Sequence, residues 1–227
     1  MYIGRIMHTD LVTVTPETTL VEARDLIAER SIDHLLVVNK KGQLVGILSD
    51  RDLKQNWASP ATALSTHELN YLLQKVEVGM IMVKTVITVE PDTTIERAAY
   101  IMQTNNISAL PVTDHGELIG IITSTDVMEV LLRAIGMSDD SVRLGVFVDD
   151  SIGRLAEVTN ILSQEHINIQ SLFCWPTKDH PGVTHLVLRI AGDEGAKAVL
   201  ALEKGGFKVL TKYEKDLTPY LPKSAMG

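Results

Sequence analysis

GILSDRD, residues 46–52, returns as GIITSTD at residues 120–126. Each copy is a short apolar run closed by a hydroxyl residue, with an aspartate three positions later: Ser49 and Asp52 in one, Thr123 and Asp126 in the other. A strand leading straight into a helix has this pattern. The hydroxyl can cap the helix, and an aspartate in the first turn is favoured by the positive end of the helix dipole. Whether the two aspartates do more than finish their own helices decides what the chain is for.

The recurrence extends far beyond seven residues. A shift of 75 lays Met7 on Met82, Thr13-Val14 on Thr88-Val89, Pro16 on Pro91, Ala23 on Ala98, Ile32 on Ile107 and Val37 on Val112. The offset then falls to 74, pairing Gly42 with Gly116, Gly46 with Gly120 and Asp52 with Asp126. The lost residue falls where NKKG faces DHG, and both read as hairpin turns, where a length change costs little. Two copies at this spacing are a tandem duplication.

Each copy reads as strand, helix, two strands, helix. Leu20, Ala23, Ile27 and Arg30 share a face of the first helix, and Ile95, Ala98, Ala99 and Met102 do so in the second copy. Thr19 meets Glu22 at capping-box spacing, whereas in the second copy Thr93 meets Glu96, which leaves the cap residue open by one position. Between the copies, Ser65 and Glu68 ahead of Leu69, Leu72, Leu73 and Val76 predict a capped amphipathic helix. After Gly136 the order becomes βαββαβ: strand VRLGVFVDD, helix SIGRLAEVTNILSQEH, the hairpin of NIQSLFCW and VTHLVLRI, helix DEGAKAVLALEKGG and strand FKVLTKY. That is a ferredoxin-like sandwich. The expected class is therefore α/β (α+β): two β-α-β-β-α repeats packed as a pseudo-two-fold pair, then a smaller sandwich. The expected segments are 1–56 and 80–135 for the repeats, 57–79 for the linker, 141–215 for the last domain and 216–227 for a tail. Disorder is expected only in the last residues, LPKSAMG.

Composition removes several functions. The 227 residues are 45% hydrophobic, enough for a core in every segment. A net charge of −8 and only ten aromatic residues argue against a broad nucleic-acid surface. No apolar run approaches the roughly 20 residues of a membrane-spanning helix, and the start shows no secretory h-region. With Cys174 the single cysteine, a cytoplasmic location is expected. There is no HExxH spacing, Walker-type loop, Gly-x-Ser-x-Gly elbow or nucleophile–base–orienter set, so neither a metal site nor catalysis is expected.

The duplicated unit resembles a tandem pair of CBS domains, on Pro16 and Pro91, the strand pairs around Gly42 and Gly116, and the two Gly-h-h-[Ser/Thr]-x-x-Asp runs. The last segment resembles an ACT domain, on Asp150-Ser-Ile-Gly153-Arg-Leu155 and Ile167-Asn168-Ile169. The order is similar to the acetoin-utilisation AcuB-type proteins. The CBS resemblance implies a regulatory ligand containing adenosine (AMP, ADP, ATP or S-adenosylmethionine) and no prosthetic group. It assigns Ser49, Asp52, Thr123 and Asp126 to ribose and phosphate, and Thr13-Val14 and Thr88-Val89 to adenine. His34 falls where some relatives place a phosphate-contacting basic residue. A first-turn carboxylate facing a cleft can accept hydrogen bonds from both hydroxyls of a ribose.

Arg51 adds evidence of its own. A cation at a helix N-terminus is disfavoured by about 0.3–1 kcal/mol, and a bound phosphate reverses that sign. Its counterpart is Thr125, which predicts unequal clefts. The ACT resemblance assigns an amino acid to Asp150, Gly153 and Asn168, although Ile152 stands where proline is usual and Val148 where a polar residue is. Together these readings predict a sensor acting on an unknown regulated protein, with a homodimer as the default. The rival reading is a ligand-free dimerisation scaffold controlling a partner protein. A regulatory part in acetoin breakdown follows from the AcuB-type resemblance.

Overall fold

The computed structural model describes residues 1–57, 73–138 and 140–226, in two compact units, Met1–Met128 and Glu129–Gly227. The first unit carries β1 (Thr13–Val14), α1 (Leu20–Arg30), β2 (His34–Val38), β3 (Leu44–Ser49) and α2 (Asp50–Asn56). It repeats the theme after a short α3 (Val78–Ile81) with α4 (Ile95–Asn105), β4 (Ala109–Asp114) and β5 (Glu117–Thr123), and α5 (Ser124–Ala134) starts within it. β1 lies parallel to β2, and β2–β3 and β4–β5 are antiparallel hairpins. Most of the helix expected from Ser65 falls outside the described residues. Its end, Leu73 with Val76, packs into the first repeat's core.

The helix faces follow the apolar spacing: Leu20, Ala23 and Ile27 are buried in α1, and Ile95, Ala98 and Met102 in α4, while Arg30 is exposed. The cap left open by one position is now assigned. Thr19 and Glu22 form a reciprocal capping box, and in the second copy Thr94, not Thr93, accepts from the Arg97 amide. Arg97 has no side-chain acceptor to reach back with, so that cap is one-sided. The strand expected over VITV shrinks to a single bridge, Val89 to Val112. In the first copy the Leu36 amide donates to Val12. At the matching position Pro111 has no amide to donate.

The repeats exchange their leading arms. Ile3 and Gly4 donate to Thr93 and Pro91 at 2.9 and 2.8 Å, and Val78 and Gly79 donate to Thr18 and Pro16, both at 2.8 Å. Each arm thus docks on the helix entry of the other repeat. Ile3 and Val78 are fully buried at these contacts, a gain of about 1.5–3 kcal/mol for each side chain. The arms then cross to the partner hairpin. His8 pairs with Ile121, and Val83 pairs with Ile47. Met7 and Met82 lie against Gly120 and Gly46, where any side chain would collide with the thioether.

The second unit holds β6 (Ser141–Asp149), α6 (Arg154–Gln164), β7 (Ile169–Pro176), β8 (Val183–Ala191), α7 (Gly195–Lys204) and β9 (Val209–Leu210). Its antiparallel sheet runs β7-β8-β6-β9, the ferredoxin-like order. Val146, Leu188 and Ile190 from the sheet meet Val158 and Leu162 of α6 and Leu202 of α7 in one core. On the sheet, Phe147, Val183 and Leu210 form a second cluster, covered by Leu221 with Leu217 and Tyr220. The disorder expected at LPKSAMG is therefore corrected at Leu221, whose burial is favoured by an otherwise exposed apolar patch.

His185 stacks on Phe147 with ring centroids 4.2 Å apart, and its buried Nε2 makes no hydrogen bond. Burial, helped by Arg143, lowers its pKa from 6.5 to about 4. Above pH 6.5 both folded and unfolded chains hold it neutral. Below 6.5 the unfolded chain takes a proton that the folded chain refuses until about pH 4, so stability falls across that window. A His185→Gln chain should show a shallower decline of its urea midpoint between pH 6.5 and 4, and parallel curves would refute the assignment.

Candidate functional site

A cavity of about 490 Å³ opens in the first unit, and the repeated run lines it. Ser49, Asp50, Arg51 and Asp52 enter from the β3–α2 junction, and Thr123, Ser124 and Thr125 from β5–α5. Asp33 and His34 at the start of β2 face Asn106 to Ala109 at the start of β4, and the crossing arm adds Val83, Thr85, Val86 and Ile87. The volume falls within the 300–1,000 Å³ of ordinary small-molecule sites.

Both aspartates do finish their own helices. Oδ2 of Asp52 accepts from the Ser49 amide at 2.8 Å and its hydroxyl at 2.6 Å, and Oδ2 of Asp126 accepts from the Thr123 amide and hydroxyl at 2.8 and 2.7 Å. Their second oxygens differ. Oδ1 of Asp126 meets His8 Nε2 at 2.9 Å, whereas Oδ1 of Asp52 has no partner among the described residues. Burial pushes the Asp126 carboxyl up, but the Thr123 hydroxyl and amide and the His8 ring outweigh it and hold the group below the usual carboxylate range. Asp52 lines the cavity and Asp126 does not.

Arg51 lines the cavity and has no ion-pair partner among the described residues. Its neighbour Asp50 pairs with Lys54, and Asp52 turns to Ser49, so neither adjacent carboxylate is spent on the guanidinium. His34 also lines the cavity, with Nε2 3.0 Å from the Ser108 hydroxyl and a buried Nδ1 that is unpartnered. Burial lowers its pKa below 6.5, and Asp33 and Asp52 offset only part of this. At neutral pH it is an uncharged hydrogen-bonding group facing the cavity.

The residues that the resemblance assigns to adenine are placed differently. Val14 and Val89 are core residues at 7% and 6% exposure, and neither they nor Thr13 and Thr88 line this cavity. Val14 and Val89 pair with Val37 and Val112. The segment just ahead of Thr88 lines it instead, because the crossing arm spans the gap between Ile47 and Val112. Val83 and residues 85–87 were missed because they reach the site through the arm exchange, which has no local signature, and Ser108 because it meets His34 from the other repeat, 74 residues away. His8 was missed too, being 118 residues from the carboxylate it meets.

In the second unit, Asp150, Gly153 and Asn168 are exposed. Gly153 is the N-cap of α6 at φ 95°, and the Asp150 amide donates to Gly182. None of the three lines the unit's cavity of about 420 Å³, which is formed by Asp149, Arg154, Lys208 and the Tyr220–Ser224 segment. Asp149 is ion-paired to Arg154 at 3.0 Å. Among the described residues, no cluster of three or more His, Cys, Asp or Glu could hold a metal ion, and no helix is long and apolar enough to cross a membrane.

Comparison with known proteins gives this geometry a context. Residues 3–58 and 78–133 match the CBS domain family, and residues 142–204 match the ACT domain family. A CBS domain-containing protein of Dictyostelium discoideum is 32% identical over 134 residues, covering 59% of this chain and 92% of that protein. A homoserine O-acetyltransferase of Methanohalobium evestigatum is 34% identical over 131 residues, 57% of this chain but only 24% of the enzyme. Among solved structures, a protein with CBS domains from Burkholderia ambifaria is 25% identical, covers 61% of this chain and 99% of its own, and superposes with a TM-score of 0.52.

Proposed function

This chain belongs to the CBS-domain-containing proteins, with an ACT domain behind the paired repeats, and on that premise we propose that the pair senses an adenosine-bearing ligand: AMP, ADP, ATP or S-adenosylmethionine. One observation carries the reading. Asp52 lines the cavity with one carboxylate oxygen that has no partner among the described residues, and Arg51, which has no ion-pair partner among them, lines it too. In this reading Asp52 accepts from the ribose hydroxyls, and Arg51 with Ser49 and Thr123 meets phosphate or the carboxylate of S-adenosylmethionine. Neutral His34 and Ser108 supply further hydrogen bonds, and the apolar Val83, Val86 and Ile87 offer a surface to the base.

The protein acts in this proposal as a cytoplasmic regulator and not as a catalyst. It works as a homodimer on a separate target protein, with a part in acetoin breakdown as the setting its domain order suggests. Helix α5 begins at the site threonine's neighbour Ser124 and runs unbroken to Ala134, so its first turn is the natural place for a ligand to act on the ACT segment. An amino acid at Asp150, Gly153 and Asn168 remains part of the proposal for that segment.

The scaffold reading has its own support in the exposed Tyr100, Met128 and Leu132, at 57%, 56% and 42%. Calorimetric titration with the four ligands separates the two. The sensor requires saturable heat with at least one of them. A flat trace with all four leaves the scaffold.

A further inference from the structure

The two repeats hold their crossing arms in the same way but place different residues at one position on them. Each crossing arm is pinned by a two-way backbone bridge to the partner hairpin: His8 with Ile121 at 2.9 Å in both directions, and Val83 with Ile47 at 2.9 and 3.0 Å. Each arm is also fixed one residue earlier by a methionine lying on a glycine, Met7 on Gly120 and Met82 on Gly46. The residue after the methionine is thereby bridged to the strand that leads into that hairpin's own aspartate. In one repeat this residue is Val83, which lines the cavity and offers no hydrogen-bonding side chain, and Oδ1 of Asp52 has no partner among the described residues. In the other it is His8, whose ring takes Oδ1 of Asp126 at 2.9 Å while Oδ2 is tied to Thr123. Both carboxylate oxygens of Asp126 therefore have a partner, Oδ1 in His8 and Oδ2 in Thr123.

We infer that His8 is an intramolecular latch on the Asp126 site, standing where the ligand's ribose would bind, so that the two repeat-related sites are unequal and the Asp52 site fills first. The inference rests on the sensor reading above and adds which site is used and which residue decides it. The latch is reversible by construction. The His8 side chain is 61% exposed and the Asp126 side chain 19%, so water screens the pair and a ligand can displace it at modest cost. An exposed pair of this kind is worth at most about fivefold in affinity. The arm residue and not the aspartate then sets the ranking of the two sites.

A reciprocal exchange tests it. AMP, ATP and S-adenosylmethionine are titrated into the full chain, into His8→Val and into Val83→His, with thermal unfolding as the control for folding. The expected wild-type isotherm has a tighter and a weaker site per chain. His8→Val tightens the weaker site about fivefold and leaves the other unchanged, and Val83→His weakens the tighter site by a similar factor. Two equal sites in wild type, or a loss of affinity in His8→Val, overturns the latch while leaving the sensor standing. The second of those results would make His8 a ligand contact. No binding to any of the three chains overturns the latch together with the sensor.

Discussion

Replacing Asp52 by asparagine should weaken binding of the adenosine-bearing ligand about 10- to 100-fold, the range expected when a charged hydrogen-bond acceptor worth roughly 1.5–3 kcal/mol is lost. The chain should stay folded. Asparagine keeps one carbonyl oxygen for the Ser49 amide, so the helix cap loses a fraction of its strength and not the whole. The test pairs calorimetry with thermal unfolding, and two comparisons sharpen it. Ser49→Ala removes the cap hydroxyl and should cost about 1 kcal/mol of stability with a smaller effect on binding. Asp126→Asn should change affinity less than Asp52→Asn, because His8 already holds the oxygen in question. Unchanged affinity in Asp52→Asn would mean that the carboxylate serves its own helix alone, and the sensor reading would fail.

Gly79→Ala and Gly4→Ala should each destabilise the chain by about 1–3 kcal/mol. A methyl group on Gly79 would stand 3.0 Å from Pro16 Cβ and 3.1 Å from its carbonyl oxygen. On Gly4 it would stand 2.9 and 3.1 Å from the same atoms of Pro91. A proline ring and a backbone carbonyl cannot swing aside as a long side chain can. The arm itself must lift, and the Gly79 amide bond to Pro16 at 2.8 Å lifts with it. Gly79→Ala should also lower ligand affinity, because the arm it anchors leads to Val83 and Ile87 in the cavity wall. Met80→Ala in the same short helix is the control, since that side chain is 66% exposed and should be silent. Equal melting temperatures for the glycine variants and wild type would show that the arms carry little of the stability.

Much of this architecture was legible in the chain because it is built from near neighbours. The capping of α1 and α2 depends on residues three apart, and the helix faces on a 3.6-residue period. The turns at Gly42 and Gly116, at φ 77° and 85°, depend on one residue's conformational freedom. The duplication multiplied these local signals, since every element had to be consistent twice. The one-position ambiguity at Thr93 and Thr94 shows where local reading stops. Both hydroxyls fit the pattern, and the backbone around Ile95, tied to the Met1 carbonyl at 3.0 Å, accompanies the choice of Thr94.

The site was legible in its chemistry and not in its membership. Ser49, Arg51, Asp52 and Thr123 were found because they sit on the repeated run itself, and the cavity forms around them. The opposite wall could not be read this way. Gly4 and Gly79 lie 75 residues apart in register with the duplication, and that was the available signal that the arms matter. Nothing in the residues says that each arm docks on the other repeat and not on its own.

The amino-acid order alone determined the duplicated β-α-β-β-α units, the βαββαβ order that follows, and the two hydroxyl–carboxylate pairs, because each is set by contacts within a few residues. Tertiary structure decided the exchange of arms, and with it the lining of the crevice by Val83, Thr85, Val86 and Ile87 and the meeting of His8 with Asp126. The physical reason is one of range. Periodicity and capping are short-range energies written into neighbouring residues. Which of two similar repeats accepts an arm depends on burying Ile3 and Val78 against surfaces that exist only once the chain has closed on itself.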